Sequence, residues 1–337
     1  MRLPATEAGD GAGRSATAVG NAADGQAVDS RAAAAWDRVC AEFDAVDQAL
    51  SRFRDDSELT ALNRLAGTGS VVAVSWRLRT MLAAVHRAGR LTDGRFDASV
   101  LADLERLGEH GADLDRPGPA GQPRESGPGP GPADRPPGDY PIRLVAQGTP
   151  RAGLVRAPAA PLDSGGIGKG LALRWAAAAA MEALPEGAGL LLDAGGDIVS
   201  AGAAPAGGWR VGIEDPVAPG ADGEPVAVVA VERGAVATSS VRVRNWIGPD
   251  GRRVHHLVDP RSGEPARTGL IAVTVAGVDP AWSEVWSKAL LLGGRDAIGG
   301  EARSRGLAAW WVDDAGRLGM TPEARLCSEW VADPRVG

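Results

Sequence analysis

Cysteine is nearly absent: Cys40 and Cys327 are the only two in 337 residues, and neither sits in a Cys-x-x-Cys pattern. A disulfide framework and a cysteine zinc site are therefore excluded. Tyrosine occurs once, at Tyr140, and phenylalanine three times, so Phe53 and Phe96 stand out as single aromatic positions. Positive charge is not in excess, because 36 Lys+Arg against 43 Asp+Glu leave a net charge of -7. The arginines are scattered, and no nucleic-acid partner is expected. No apolar run approaches the length of a membrane span, and the start Met1-Arg2-Leu3-Pro4 lacks the apolar core of a signal peptide. The expectation is a cytoplasmic protein with reduced thiols and no membrane span. Lysine is scarcer than any other charged type. Lys169 and Lys288 are the only two, so each is a candidate for work that needs a compact ammonium rather than a guanidinium.

What is present supports a real core, with 44% hydrophobic residues. Residues 1–30 are small and polar without a period and are expected to be disordered. Trp36, Val39, Cys40, Phe43, Val46, Leu50 and Phe53 recur at helical spacing. Shorter helices are expected through Leu59, Leu62 and Leu65, from an N-cap at Ser75 to Gly94, and over 97–114. From Arg116 to Gly138 proline and glycine dominate, which reads as an exposed insertion at about 116–140 inside one domain spanning 31–337. Strands are expected at 142–146, 153–156, 189–193, 208–213, 226–232, 241–246, 254–258, 270–276 and 307–312, with helices at 169–184 and 281–292. Several strands follow one another with only turns between, so the fold expected is α+β, with a mixed, mostly antiparallel sheet flanked by helices.

The chain is organised around Leu162-Asp163-Ser164-Gly165-Gly166-Ile167-Gly168-Lys169-Gly170. Glycines let a backbone approach a phosphate, and the helix behind them adds partial positive charge. The turn is neither a P-loop nor G-x-G-x-x-G, and taken alone it also fits a tight structural turn. Asp193-Ala194-Gly195-Gly196-Asp197-Ile198 is a second strand-to-turn element, whose plain reading is a β-turn with a locally bonded aspartate. His255 and His256 would alternate across one strand, so only one can point into a site. Glu284 and Lys288 lie four apart on a helix, the spacing of a surface ion pair.

Taken together and in order, these segments resemble the flavin transferases of the ApbE type, the FAD:protein FMN transferases, over roughly residues 36 to 315. The resemblance rests on Ser51-Arg52-Phe53 to Ser57-Glu58 with Asn63, on Asp93-Gly94-Arg95-Phe96-Asp97, and on Leu162 to Gly170. It continues through Gly195-Gly196-Asp197-Ile198, Trp209 to Ile213, Ala237-Thr238-Ser239 and His256-Leu257-Val258-Asp259-Pro260. It implies an enzyme that binds FAD and, with Mg²⁺, moves FMN to a threonine hydroxyl of an acceptor protein, with AMP leaving. It further implies His256 as base, with Phe53, Arg95, Phe96, Asp97, Asp163, Lys169 and Leu257 bordering the nucleotide. The metal positions fall on the Gly166 carbonyl, Glu284 and Lys288, where the family has an aspartate and a threonine at the last two. Glutamate can ligate Mg²⁺, whereas a charged lysine has no lone pair. An alternative is therefore an FAD-binding protein in which Lys288 replaces the metal and transfer is weak or absent. No strand like the family's first is found before Trp36, and no acceptor motif is evident in the chain itself.

Overall fold

The computed structural model describes residues 14–19, 25–109, 144–146, 152–218 and 224–332, so the Pro/Gly-rich insertion lies outside the described residues. The chain begins with β1 (Arg14–Val19) and the long helix α1 (Gly25–Leu50). The Ser57 hydroxyl accepts the Thr60 N–H and starts α2 (Glu58–Asn63). β2 (Val71–Ser75) runs into α3 (Trp76–Leu91), which Ser75 caps at the Leu78 amide. Asp97 opens a short 3-10 turn, and α4 (Leu101–Arg106) follows. β3 (Leu144–Ala146) and β4 (Ala152–Arg156) precede the glycine turn and α5 (Gly168–Met181). Five strands come next: β5 (Gly189–Ala194), β6 (Asp197–Gly202), β7 (Trp209–Ile213), β8 (Ala227–Val231) and β9 (Gly234–Ser240). Short pairs follow in β10 (Asn245–Ile247), β11 (Arg253–His255), β12 (Val258–Asp259) and β13 (Glu264–Pro265). The chain closes through β14 (Leu270–Gly277), α6 (Pro280–Gly293), α7 (Arg295–Ser304), β15 (Ala308–Asp313), β16 (Leu318–Met320), α8 (Pro322–Cys327) and β17 (Ser328–Val331).

The fold is α+β with antiparallel sheets, as expected. The chain divides into two compact units. The first comprises residues 1–44, 169–242 and 267–337, and the second 45–168 and 243–266. In the first unit the main sheet runs β1-β5-β6-β9-β14-β15-β16, beside a smaller β17-β8-β7 sheet. α5 lays Leu173, Ala176, Ala177 and Ala180 against Leu190 and Leu192 of β5, with Ala35 and Val39 of α1 in the same core. Alanine suits this face because it favours the helix and lets it sit close to the sheet. α6 packs on β9 and β14. In the second unit the sheet order is β2-β4-β3. There α2 and α3 bury Leu59, Leu62, Leu78, Met81, Leu82 and Val85 at 0–2% exposure.

Several elements differ from the sequence-based expectation, each for an identifiable reason. No structure is expected over 1–30, yet β1 pairs with β5 from Arg14↔Ala194 to Val19↔Gly189, and α1 begins at Gly25. The small, mixed residues of Arg14–Val19 carry no strand period of their own, so the pairing is set by the partner strand. α1 stops at Leu50, which leaves Phe53 outside the helix. Of the helix expected over 97–114, α4 ends at Arg106 and Gly108 at φ +95 turns the chain, while residues 110–114 lie outside the described residues. The expected strand over 254–258 breaks after His255, so His256 lies between β11 and β12 rather than within a strand. β9 runs on to Ser240, where the small polar residues Thr238, Ser239 and Ser240 hide a strand that pairs with β14 in register Ala272↔Ser240.

Candidate functional site

In the second unit, the entry to the glycine turn is fixed by three neighbours. The Asn63 side chain donates to the Leu162 carbonyl (2.8 Å) and accepts the Leu162 N–H (2.9 Å). The Asp163 N–H donates to the Ala98 carbonyl at 2.6 Å, tying the turn to the Asp93–Asp97 loop. The Asp163 carboxylate accepts Arg52 Nε at 2.8 Å. A methyl on Gly165 would stand 2.8 Å from Asp163 Oδ2, so the glycine leaves room for that carboxylate. Within the turn, the Ile167 and Gly168 amides both donate to the Ser164 carbonyl (3.1 and 2.8 Å), and Ser164 Oγ donates to the Leu50 carbonyl ending α1 (2.7 Å). Gly166, between them, is buried. The turn is thus partly a self-closed structural element rather than an open ring of amides.

The remaining residues of this unit divide by exposure. Phe53 is 49% exposed, and the Arg52 guanidinium covers one face of its ring at 4.2 Å from the centroid. Phe96 and Leu257 are 2% and 1% exposed, so their side chains belong to the core. Arg95 Nε donates to the Thr92 carbonyl (3.0 Å). Asp97 Oδ1 accepts the Ser99 N–H (2.8 Å) and hydroxyl (2.7 Å). His256 Nδ1 lies 3.2 Å from the Arg244 carbonyl, which also accepts the His256 N–H at 3.2 Å. A carbonyl only accepts, so Nδ1 carries the proton of the neutral ring. Nε2 is left as the ring's acceptor, the state a general base needs.

In the first unit, β5 and β6 join through Gly195 (φ 67) and Gly196 (φ 89), a two-residue turn in which both centres need positive φ. Asp193 Oδ1 accepts the Gly196 N–H (2.8 Å), the local role expected of a turn aspartate. Asp197, only 2% exposed, does something else. It pairs with the Lys169 ammonium, and its Oδ1 accepts the Thr238 N–H (3.2 Å). Glu284 lies on α6 at 5% exposure, which excludes the surface ion pair that its spacing from Lys288 suggested. Its Oε2 accepts the Gly170 N–H (2.8 Å), so a carboxylate from α6 caps the first turn of α5. The helices approach this closely because residue 170 has no side chain: a Cβ there would stand 2.4 Å from Ala281 Cα. Lys288, one turn further along α6, is half-buried and acts electrostatically on Glu284.

Burial pushes the Glu284 carboxyl up to about 7, with Asp197 adding to the shift. Lys169, the Gly170 amide and Lys288 oppose it. A carboxyl whose folded pKa lies above its unfolded value holds a proton that the unfolded chain has lost. Its contribution to stability is therefore present below pH 4.5 and falls away as pH rises to about 7. Glu284→Gln, which keeps an oxygen for the Gly170 amide, is expected to be more stable than wild type at pH 8 by on the order of 3 kcal/mol. At pH 4.5 the difference should vanish. Denaturant midpoints at the two pH values in EDTA check this, and an unchanged difference would contradict it.

These groups do not fit Mg²⁺. The ion needs near-octahedral oxygen ligands. Glu284 instead caps a helix, Asp197 is held by Lys169 and the Thr238 amide, and Lys288 brings an ammonium in place of an oxygen. Two carboxylates already face two ammonium groups. Among the described residues, no group of three or more His, Cys, Asp or Glu gathers as a cation site. Of the metal positions expected from sequence, Glu284 and Lys288 share one helix face in the first unit, while Gly166 belongs to the second unit.

The sequence reading missed Glu109, Arg52 and Arg244, which interlock in the second unit. Arg52 Nη2 reaches Glu109 at 2.7 Å, and Arg244 also pairs with Glu109. The signal was slight. Glu109 falls inside the helix expected over 97–114, where nothing sets it apart from any other helical carboxylate.

The solved structures that share this fold include an ApbE protein from Thermotoga maritima, with a TM-score of 0.75 and 22% identity, matching 98% of this chain and 99% of that one. The ApbE family model matches residues 18–311, and the chain belongs to that family. A curated relative from Klebsiella pneumoniae (strain 342), named FAD:protein FMN transferase, is 27% identical over 88% of this chain and 83% of its own length. Another of the same name, from Treponema pallidum (strain Nichols), is 31% identical over 68% of this chain and 63% of its own length. Among the described residues no helix is long and apolar enough to cross a membrane.

Proposed function

We propose that the chain is an FAD:protein FMN transferase, moving FMN from FAD to a threonine hydroxyl of an acceptor protein in the cytoplasm. The observation that carries this reading is membership of the ApbE family, and His256, whose Nδ1 lies 3.2 Å from the Arg244 carbonyl, is the base proposed. In the step proposed, Nε2 takes the proton as the threonine oxygen attacks the phosphorus of the FMN half. A P–O bond forms to the acceptor, the pyrophosphate P–O bond breaks, and AMP leaves with that electron pair. Lys169 supplies compact positive charge to the phosphates. Phe53 offers a half-exposed ring to the isoalloxazine or adenine. Arg95, Phe96, Asp97, Asp163 and Leu257 shape the nucleotide site, three of them through backbone and loop geometry. Membership of the ApbE family and the shared name of the curated relatives support the reading.

A second reading is favoured by one feature, the use of Glu284 as a helix cap between Lys169 and Lys288. On that reading the chain binds FAD, Lys288 stands in for the metal, and little transfer follows. Both readings require FAD binding. A melting-temperature rise with FAD at 100 times its Kd is expected, equivalent to about 2.7 kcal/mol of added stability. No rise at millimolar FAD would end both readings.

A further inference from the structure

Among the described residues of the second unit, Glu109 is the most deeply buried charged residue, with a side chain that is 0% exposed. Its burial follows from the local chain. α4 ends at Arg106, Gly108 takes φ +95, and the Glu109 N–H returns to the Leu104 carbonyl (2.9 Å), which turns the side chain inward. The β10–β11 hairpin closes over this end. Trp246 Nε1 donates to the Leu107 carbonyl (2.8 Å), and Val254 packs with Leu104 and Leu107.

One carboxylate here holds two arginines from distant segments. Arg52 reaches Glu109 at 2.7 Å and Asp163 at 2.8 Å, and its side chain is only 7% exposed. The same guanidinium lies 4.2 Å over Phe53. The second arginine, Arg244, carries the carbonyl that accepts both the backbone N–H and the ring Nδ1 of His256. Four charges balance, but burying them is not a strong source of stability, since well-packed apolar residues commonly do as well or better. Such a network is better suited to fixing geometry.

We infer that Glu109 is a positioning residue for flavin transfer: through Arg52 it sets Phe53 and Asp163, and through Arg244 it sets the imidazole of His256. The inference rests on the transferase reading for its kinetic consequence but not for its spectroscopic one. The two arms are separable. Arg52 serves the nucleotide-binding residues, whereas Arg244 serves the base.

The test uses the full chain and four variants: Glu109→Gln, Glu109→Asp, Arg52→Met and Arg244→Met. Misplacement of reacting groups by about 1 Å lowers rates by ~100-fold, so Glu109→Gln is expected to weaken FAD binding and lower kcat, each by ~10- to 100-fold. Glu109→Asp should recover part of both. Arg52→Met should act mainly on FAD affinity, and Arg244→Met mainly on kcat. Nitrogen-15 NMR of His256 should report the Nδ1–H tautomer in wild type and a mixed population in Glu109→Gln and Arg244→Met, with no FAD present. The inference is overturned if the variants lower the melting temperature alone, with FAD affinity, kcat and tautomer all within twofold of wild type. It is also overturned if the two arginine variants fail identically. A wild-type chain that neither binds FAD nor transfers FMN would sink the proposed function instead, and the tautomer measurement would still decide whether Glu109 positions His256.

Discussion

His256→Ala is expected to lower transfer of FMN to a threonine peptide by ~100- to 10,000-fold, the usual contribution of a positioned base. FAD affinity should stay within about twofold, a difference too small to count as lost binding. The asymmetry follows from the geometry. The imidazole is anchored by Nδ1 to the Arg244 carbonyl, whereas Asp163 and Phe53 are held by Arg52. Removing the ring therefore removes the proposed proton acceptor and leaves Asp163 and Phe53, proposed to border the nucleotide, in place. His255 is the control. Its Nε2 is committed to the Ala266 carbonyl at 3.1 Å, and its Nδ1 accepts the Leu257 N–H (3.3 Å), so both ring nitrogens hold the backbone. His255→Ala should lower the melting temperature more than the rate per folded molecule. Steady-state rates and FAD titrations on the two variants check both statements.

The second large effect concerns the metal. FAD affinity and transfer are expected to be the same in excess Mg²⁺ and in EDTA, because Lys288 puts an ammonium where an oxygen ligand would be needed. Glu284 caps Gly170, Lys169 pairs with Asp197, and Lys288 adds an ammonium one turn away. A dication brought to this cluster would meet two like charges and no vacant carboxylate. The double substitution Glu284→Asp with Lys288→Thr withdraws the cap by one methylene and replaces the ammonium with a hydroxyl. It is expected to bind Mg²⁺ by calorimetry, where wild type gives no heat, and to make FAD affinity respond to Mg²⁺ by ~10-fold or more, within the usual range of coupling between two ligand sites. Wild-type transfer that disappears in EDTA would contradict this part of the account while leaving the transferase intact.

Much of the fold could be read from pattern. The helix after Ser75 has a clear cap, the one beginning at Gly168 is Ala-rich, and most strands of the first unit are apolar runs between turns. The elements that escaped have neither. β1 is a strand only because β5 offers it a partner, and Thr238–Ser240 are too small and polar to announce a strand. His256 was expected within a strand, yet it lies after β11, where its ring and backbone share one carbonyl. The candidate site drew attention where a rare residue or a glycine constraint marked it, as at Lys169 and Gly195-Gly196. It was not legible where tertiary pairing assigns the role. Nothing in the sequence around Glu109 announces a carboxylate shared by two arginines, and the i, i+4 spacing of Glu284 and Lys288 fits an exposed pair as well as a buried cap. Periodicity places a residue on a helix face but does not say what covers that face.

The most direct test of the central claim is mass spectrometry of a threonine-bearing acceptor peptide incubated with the full chain and FAD. A peptide carrying FMN in phosphoester linkage is expected, with one AMP released for each adduct and loss of the adduct in the His256→Ala chain. Unmodified peptide and intact FAD, from a chain whose melting temperature rises with FAD, would contradict it and leave a flavin-nucleotide binder in its place.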